Sequence, residues 1–222
     1  MIYPELPLSF WSLTYVQKLM GARSVVPPLG LITVAALLPD DWELRLIDLN
    51  IQSLTEDDWK WADIVMVSGM IVQKTGVLEL IRESKTRGKP VVAGGPYSSS
   101  IPGEVLDAGC DFVVRGEGEN TVPHLVSALK EGKTNGIFEN DIKPELDKSP
   151  VPRFDLLHMN KYLSLAFQTS RGCPFDCEFC DVKKFFGPKI RYKNPEQIIK
   201  EFDTAYDLGW RGPVFIADDN FI

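Results

Sequence analysis

Residues 63–70 read DIVMVSGM, and this stretch decides the fold class. Its apolar run is nearly continuous, which is typical of a strand that is covered on both faces, as in a parallel sheet. VLELIRESKTRG at 77–88 follows with helical apolar spacing, a basic last turn and a terminal glycine. PVVAGG at 90–95 then reads as a second buried strand. This strand–helix–strand order predicts two parallel strands joined by a right-handed crossover.

The same alternation extends to both sides of this unit. Further strands are predicted in MIY (1–3), LRLIDL (44–49) and DFVVRGEGE (111–119). Further helices are predicted in PPLGLITVAALL (27–38), IPGEVLDAG (101–109) and TVPHLVSALKEG (121–132). We therefore predict an α/β domain over residues 1–132 with a Rossmann-like, doubly wound parallel sheet of five strands.

The chain changes character after residue 132. Residues 133–160 are polar and interrupted by three prolines, which predicts a linker. A strand in 162–170, a helix in 194–209 and a strand in 214–222 follow, so residues 161–222 are predicted to begin a TIM-like β/α barrel. A unit of the eight-fold barrel takes ~30 residues. Two units fit here, and we expect the barrel to be cut short.

Composition and charge exclude several classes of protein. The 222 residues are 44% hydrophobic and 25% charged, as expected for a globular chain that buries a core. A net charge of −7 disfavours nucleic acid as a partner, because such proteins usually carry a basic surface. The first residues lack the basic region of a signal peptide, and no apolar run approaches the ~20 residues of a membrane span. We predict a cytoplasmic protein without a transmembrane segment.

Three of the four cysteines lie in SRGCPFDCEFCDV at 170–182, as Cys173, Cys177 and Cys180. In a reducing compartment such crowding indicates metal binding or catalysis rather than disulfides. Cys110 stands far upstream beside an apolar run, and we predict that it is a small buried core residue.

Four kinds of site could use these three thiols. A closed zinc site needs a fourth ligand, for which only His124 and His158 are available. A ferredoxin-type cluster needs a fourth cysteine, and a redox pair of Cys177 and Cys180 leaves Cys173 without a role. A [4Fe–4S] cluster on three thiolates leaves one iron open for a small molecule.

The spacing C-x₃-C-x-aromatic-C between a strand and a helix resembles the signature of the radical S-adenosylmethionine (radical SAM) superfamily. The resemblance implies that the three cysteines hold a [4Fe–4S] cluster whose open iron binds S-adenosylmethionine. An electron from a donor such as a flavodoxin or ferredoxin then yields a 5′-deoxyadenosyl radical that abstracts hydrogen from an unreactive carbon. The side chains implied to contact S-adenosylmethionine are the aromatic Phe179 and, after the second barrel strand, Asp218, Asp219 and Asn220.

The turns that follow the strands of the first domain carry a second resemblance. PPLGLITVAALLP, DLN, AGGP and DFVVRGEGE resemble the cobalamin-binding domain of B12-binding radical SAM enzymes, and the similarity covers essentially the whole chain. The residues implied to bind cobalamin are Ser68, Gly69, Gly94, Gly95, Pro96, Gly116 and Glu117. The motif D-x-H-x-x-G, whose histidine ligates cobalt in many such domains, is not matched by His124 or His158. The resemblance therefore implies cobalamin without a protein histidine ligand.

Together the two resemblances imply a cobalamin-dependent radical SAM enzyme that methylates an unactivated carbon of a small molecule. Two alternatives stay open: a B12-dependent radical cyclase or rearrangement enzyme, and a non-catalytic module that binds cobalamin or a metal. We identify no catalytic side chain. Because half of the barrel is missing, we expect the 222 residues alone to be inactive.

Overall fold

The computed structural model describes residues 1–9 and 13–221, and its largest feature is a parallel sheet of six strands. The strands are β1 Ile2–Tyr3, β2 Ile47–Asp48, β3 Val65–Ser68, β4 Val91–Gly94, β5 Phe112–Val114 and β6 Gly136–Phe138. Their order across the sheet is β2-β1-β3-β4-β5-β6. The chain thus builds outward from β1 in both directions, and the predicted doubly wound parallel fold is confirmed.

The sixth strand corrects the prediction of five strands. β6 pairs with β5 over three residues, Phe112 with Gly136 through Val114 with Phe138. It is a short edge strand that is only partly buried, so it lacks the apolar run that marked β3 and β4. It lies in the segment predicted as a linker, and the sheet therefore continues past residue 132. The division of the chain into domains stays a prediction.

In the described part of the chain, seven α-helices accompany the sheet. They are α1 Thr14–Leu19, α2 Leu29–Ala35, α3 Glu56–Trp61, α4 Lys74–Thr86, α5 Gly95–Ser100, α6 Pro102–Asp107 and α7 Gly118–Lys130. Val65 and Val67 of β3 join one hydrophobic cluster with residues of α4, whereas Met66 joins a second cluster with residues of α7. Alternate side chains of β3 are therefore buried on opposite faces, which explains its continuous apolar sequence.

The rest of the chain forms a second unit. Its elements are β7 Leu165–Phe167, β8 Ser170–Arg171, α8 Val182–Phe186, β9 Arg191–Tyr192, α9 Pro195–Asp207 and β10 Val214–Ile216. β7 and β10 are parallel neighbours, and α9 connects them as predicted. The Asn194 side chain caps α9 by accepting a hydrogen bond of 2.8 Å from the backbone N–H of Gln197. Ile222, the last residue of the predicted final strand, lies outside the described residues.

The two units share a core. Leu31 and Ile32 of α2 belong to the same hydrophobic cluster as Phe167 of β7. The Tyr162 hydroxyl donates a buried hydrogen bond of 2.9 Å to Asp48 at the end of β2. Burial raises the pKa of Asp48, while the hydrogen bonds that it accepts from Asn50 and Tyr162 act in the opposite direction. Of the helices that the described residues form, none is long and apolar enough to cross a membrane.

Candidate functional site

A cavity of about 370 Å³ lies at the carboxyl ends of the sheet strands. The seven residues that the sequence singled out for cobalamin all line it: Ser68, Gly69, Gly94, Gly95, Pro96, Gly116 and Glu117. They come from the ends of β3 and β4 and from the turns after β3, β4 and β5, which parallel pairing brings to one edge. Tyr3, at the end of β1, also lines the cavity, which therefore spans the point where the strand order reverses. This is where doubly wound sheets bind ligands.

Gly95 shows why a glycine is required at this edge. Its φ is +82°, and a Cβ there would stand 2.3 Å from the Oγ of Ser68. A side chain at Gly95 would thus collide with the end of β3. The neighbouring strand ends can approach closely only because this position has no side chain.

The remaining walls of the cavity are largely apolar. α2 and α7 contribute Leu31, Val34, Val122 and Leu125. Neither His124 nor His158 is among the lining residues of the described chain. The cavity therefore offers a corrinoid an apolar cradle with exposed backbone edges and no imidazole, which fits the implied binding without a protein histidine.

A larger cavity of about 770 Å³ lies at the opposite edge of the sheet. Asp63, Pro90 and Asp111, which precede β3, β4 and β5, line it. None of the predicted site residues does. Ligands of doubly wound sheets bind beyond the carboxyl ends of the strands, so the smaller cavity is the candidate site.

The three clustered cysteines lie in the loop between β8 and α8. Cys173 is partly buried, Cys177 and Cys180 are exposed, and all three thiols are free. Within residues 1–9 and 13–221, no three His, Cys, Asp or Glu side chains lie close enough together to hold a metal ion. The structure thus places the thiols on one loop without drawing them together. Three free cysteines at this spacing fit an iron–sulfur cluster by donor chemistry, and the loop would have to close around it.

The start of the cysteine loop is held tightly. Gly172 has a φ of +102°, and a Cβ on it would stand 2.4 Å from the carbonyl oxygen of Lys189. Its N–H donates to Asp219 at 2.9 Å, and the N–H of Cys173 donates to the carbonyl of Gly187 at 3.2 Å. Gly172 thus makes a tight turn into the cysteine loop.

The residues predicted to contact S-adenosylmethionine lie in different surroundings. Asp218 accepts hydrogen bonds from the backbone and hydroxyl groups of Thr169 and Ser170, which fixes the corner between β7 and β8.

The other three residues are less constrained. Burial raises the pKa of Asp219, although the hydrogen bond from the Gly172 N–H acts to lower it. The Nδ2 of Asn220 is buried and has no hydrogen-bond partner in the described chain, so it is available to a ligand. The Phe179 side chain is 94% exposed. Their roles stay predictions.

A buried charge network connects the cavity with the cysteine loop. Arg171 contacts Glu117 at 2.8 Å and Glu119 at 2.9 Å, and Arg191 contacts Glu117 at 2.7 Å. The glutamates belong to the cavity wall at the start of α7, whereas the arginines lie in β8 and β9 on either side of the loop. Salt bridges thus tie both flanks of the loop to the rim of the cavity.

For Glu119 and Arg171, the attraction between opposite charges affects the pKa more than burial does. Burial alone would raise the pKa of Glu119, but Arg171 and a hydrogen bond from Ser149 hold it below its usual value. Burial alone would lower the pKa of Arg171, but Glu119 and Glu117 raise it. Both side chains therefore stay charged at neutral pH.

Sequence reasoning missed three members of this network: Glu119, Arg171 and Arg191. The available signal was the pair of glutamates in RGEGE, together with an arginine beside the first cysteine of the loop. Buried charges follow no periodic pattern in the sequence, and each arginine is 52 to 74 residues away from the glutamate that it binds. Only the folded chain identifies them.

The family model of the B12 binding domain matches residues 20–126. This part of the chain is similar to B12-binding domains. The match runs from the segment before α2 into α7 and includes the ends of β3, β4 and β5 that line the cavity. The matched segment thus supplies most of the cradle. The wall is completed by Met1 and Tyr3 and, from the second unit, by Gln168, Arg171, Phe185, Phe186 and Ala217.

Similarity to known proteins extends beyond residues 20–126 to the whole chain. An uncharacterized methyltransferase of Synechocystis is 49% identical over 222 residues, covering 100% of this chain and 41% of the relative. Hopanoid C-2 methylase of Rhodopseudomonas palustris is 36% identical over 226 residues, covering 100% and 42%. The chain thus spans about two fifths of the length of these relatives.

A solved structure has the same fold. The radical S-adenosylmethionine methyltransferase TsrM of Kitasatospora setae, with cobalamin and a [4Fe–4S] cluster bound, superposes with a TM-score of 0.64 at 16% identity. The match covers 99% of this chain and 47% of TsrM. The predicted resemblance is therefore confirmed: residues 20–126 are similar to a B12-binding domain, and the chain shares the fold of a radical SAM methyltransferase.

Proposed function

We propose that this chain is the cofactor-binding part of a cobalamin-dependent radical SAM enzyme that methylates an unactivated carbon. The observation that carries the proposal is the cavity of the B12-binding domain, whose wall is tied by the buried Arg171–Glu117 pair to a loop with three free cysteines. Two relatives that cover the chain completely are described as methyltransferase and methylase, which favours methylation over cyclisation or rearrangement.

The residues of this chain have separate tasks in the proposal. The turns after β3, β4 and β5 bind cobalamin, with apolar side chains of α2 and α7 excluding water from one side of the corrin. Cys173, Cys177 and Cys180 would ligate the [4Fe–4S] cluster, and the unpaired Nδ2–H of Asn220 would donate a hydrogen bond to S-adenosylmethionine. When bound, the cluster supplies the electron that cleaves S-adenosylmethionine, and cobalamin carries the methyl group.

The proposal extends to partners and surroundings. The cluster needs an electron donor such as a flavodoxin or ferredoxin, and the substrate is a small molecule. A cytoplasmic location suits both the free thiols and a cluster that requires reducing conditions. We further propose that the 222 residues alone do not turn over, because only two barrel-type strands, β7 and β10, pair in the described chain.

Spin resonance of the reconstituted chain tests the radical SAM proposal. Iron and sulfide are added anaerobically, the cluster is reduced, and the spectrum is recorded with and without S-adenosylmethionine. We expect a reduced-cluster signal that changes when S-adenosylmethionine occupies the open iron. A chain that binds zinc instead, or a cluster signal indifferent to S-adenosylmethionine, would support the non-catalytic module and contradict the enzyme.

Filling the cavity tests the cobalamin site. Gly30 lies in α2 on the cavity wall, and a Cβ there would meet no atom within 4 Å. We expect Gly30→Trp to weaken hydroxocobalamin binding at least about tenfold, because excluding a ligand from part of its pocket costs more than 1.4 kcal/mol. Binding is measured by titration with absorbance detection.

The matched control is Gly30→Ala, which adds a methyl group at the same position. It is expected to retain cobalamin and to stabilise α2 by up to about 1 kcal/mol, because alanine is the better helix former. Equal affinities of the tryptophan variant and the wild type would place cobalamin elsewhere.

A further inference from the structure

We propose that Arg171 is a positioning residue through which the corrinoid cavity and the start of the cysteine loop stabilise one another. Binding of a corrinoid would hold Glu117 and Arg171 in place and so order Cys173, two residues further along the chain. This inference rests on the proposed occupancy of the cavity by cobalamin. It adds a thermodynamic link between the two cofactor sites.

The geometry of Arg171 supports such a link. Its side chain is 10% exposed, and that of Glu117 is 2% exposed. The Nη1 of Arg171 binds both Glu117 and Glu119, and its Nε donates to Gln168 at 2.7 Å. Arg171, Glu117, Glu119 and Gln168 all line the cavity. One guanidinium therefore lies in the cavity wall, while its backbone leads directly into the loop.

The backbone between Arg171 and Cys173 has little freedom. β8 pairs with β9 at Arg171 with Arg191, and Arg191 binds the same Glu117. Gly172 is packed against the backbone at Lys189. A shift of Glu117 at the cavity wall therefore disturbs both flanks of the loop, because Arg171 and Arg191 would each lose a buried carboxylate partner.

A link of this kind is reciprocal. If a corrinoid favours the ordered start of the loop by some factor, an ordered loop raises corrinoid affinity by the same factor. Typical couplings between sites are about 5- to 150-fold. The apo chain can report the effect without any catalytic turnover.

The test is alkylation of Cys173 by iodoacetamide, followed by peptide mass spectrometry, with and without saturating hydroxocobalamin. In the wild type we expect cobalamin to slow modification of Cys173 at least about fivefold, the lower end of typical couplings. The ratio of the alkylation rates without and with cobalamin is expected to be near one in Arg171→Gln. The cobalamin concentration is chosen to saturate that variant. Arg171→Lys keeps the charge without the planar fork, and its ratio is expected to lie between those two.

The matched control is Lys193→Met, which breaks another buried ion pair. Lys193 and Glu201 lie 2.5 Å apart with side chains 4% and 2% exposed, and neither lines the cavity. Breaking this pair should destabilise the fold comparably but leave the protection of Cys173 intact. Comparing Lys193→Met with Arg171→Gln therefore separates a coupling role from a general loss of stability.

Four results would overturn the inference. If cobalamin still protects Cys173 in Arg171→Gln, the cofactor shields the thiol directly. If cobalamin no longer protects Cys173 in Lys193→Met, the protection depends on the general stability of the fold. Cobalamin that binds the wild type without slowing alkylation would exclude coupling while leaving the proposed function intact. A wild type that fails to bind cobalamin would overturn the proposed function as well. If Arg171→Gln does not fold, Glu119→Gln removes one partner of the same guanidinium and is expected to reduce the protection.

Discussion

Replacing Cys177 with alanine is expected to abolish the iron–sulfur cluster of the reconstituted chain. The described loop offers three free thiols and no other side chain placed to complete a metal site. The proposed [4Fe–4S] cluster already has one iron without a protein ligand. Two thiolates would leave two irons without one, which is too few ligands to hold the cluster. Iron per chain should fall from about four to near zero, together with the visible absorbance of the cluster. Iron and sulfide assays after desalting measure the loss.

Cys110→Ala is the control for this prediction. Cys110 is buried in the core, as predicted, and its Sγ lies 3.1 Å from the carbonyl oxygen of Phe112. Burial raises the pKa of this thiol to about 11, so it stays protonated at neutral pH and is a poor ligand. The variant should keep its cluster while losing about 1 kcal/mol of stability. Loss of iron in Cys110→Ala but not in Cys177→Ala would reverse the ligand assignment.

Gly172→Ala is expected to disrupt the cysteine loop without removing any ligand. The new methyl group would stand 2.4 Å from the carbonyl oxygen of Lys189, a backbone atom that cannot swing aside. Alanine is also strained at a φ of +102°. Strain and overpacking together should destabilise this region by on the order of 3 kcal/mol. We expect reconstituted iron to fall well below that of the wild type, and urea unfolding to shift to lower concentration.

Gly209→Ala separates these two causes. Gly209 has a φ of +98°, close to that of Gly172, but a Cβ there would meet no atom within 4 Å. It follows α9, away from the cysteine loop. This variant should lose only about 1 kcal/mol, from backbone strain alone, and should take up iron normally. If the two alanine variants behaved alike, the contact with Lys189 would have no role in shaping the loop.

Much of the fold could be predicted from local patterns. The apolar run of β3 specified a strand buried on both faces, and the helix predicted in 194–209 corresponds to α9. β6 was missed because an edge strand of three residues, of which Ile137 is exposed, carries too little apolar signal to stand out from a loop. The extra strand also shows that the polar, proline-rich segment after α7 contributes to the sheet.

The sequence by itself determined which chemical groups are available. Three thiols at fixed spacing, and glycines in the turns after three strands, are local facts of the chain, because neighbouring residues set loop geometry and backbone freedom. The turns could even be assigned to one edge, since parallel strands share the direction of their carboxyl ends.

Only the tertiary structure decided how the two sites are joined. Glu117 could be expected at the cavity, but its partners Arg171 and Arg191 are 54 and 74 residues away. Ion pairs depend on the distance between charged groups and on their burial, and neither quantity follows from a sequence pattern. The folded chain encloses these charges beside the cavity, and so a cofactor pocket and a cysteine loop become one connected site.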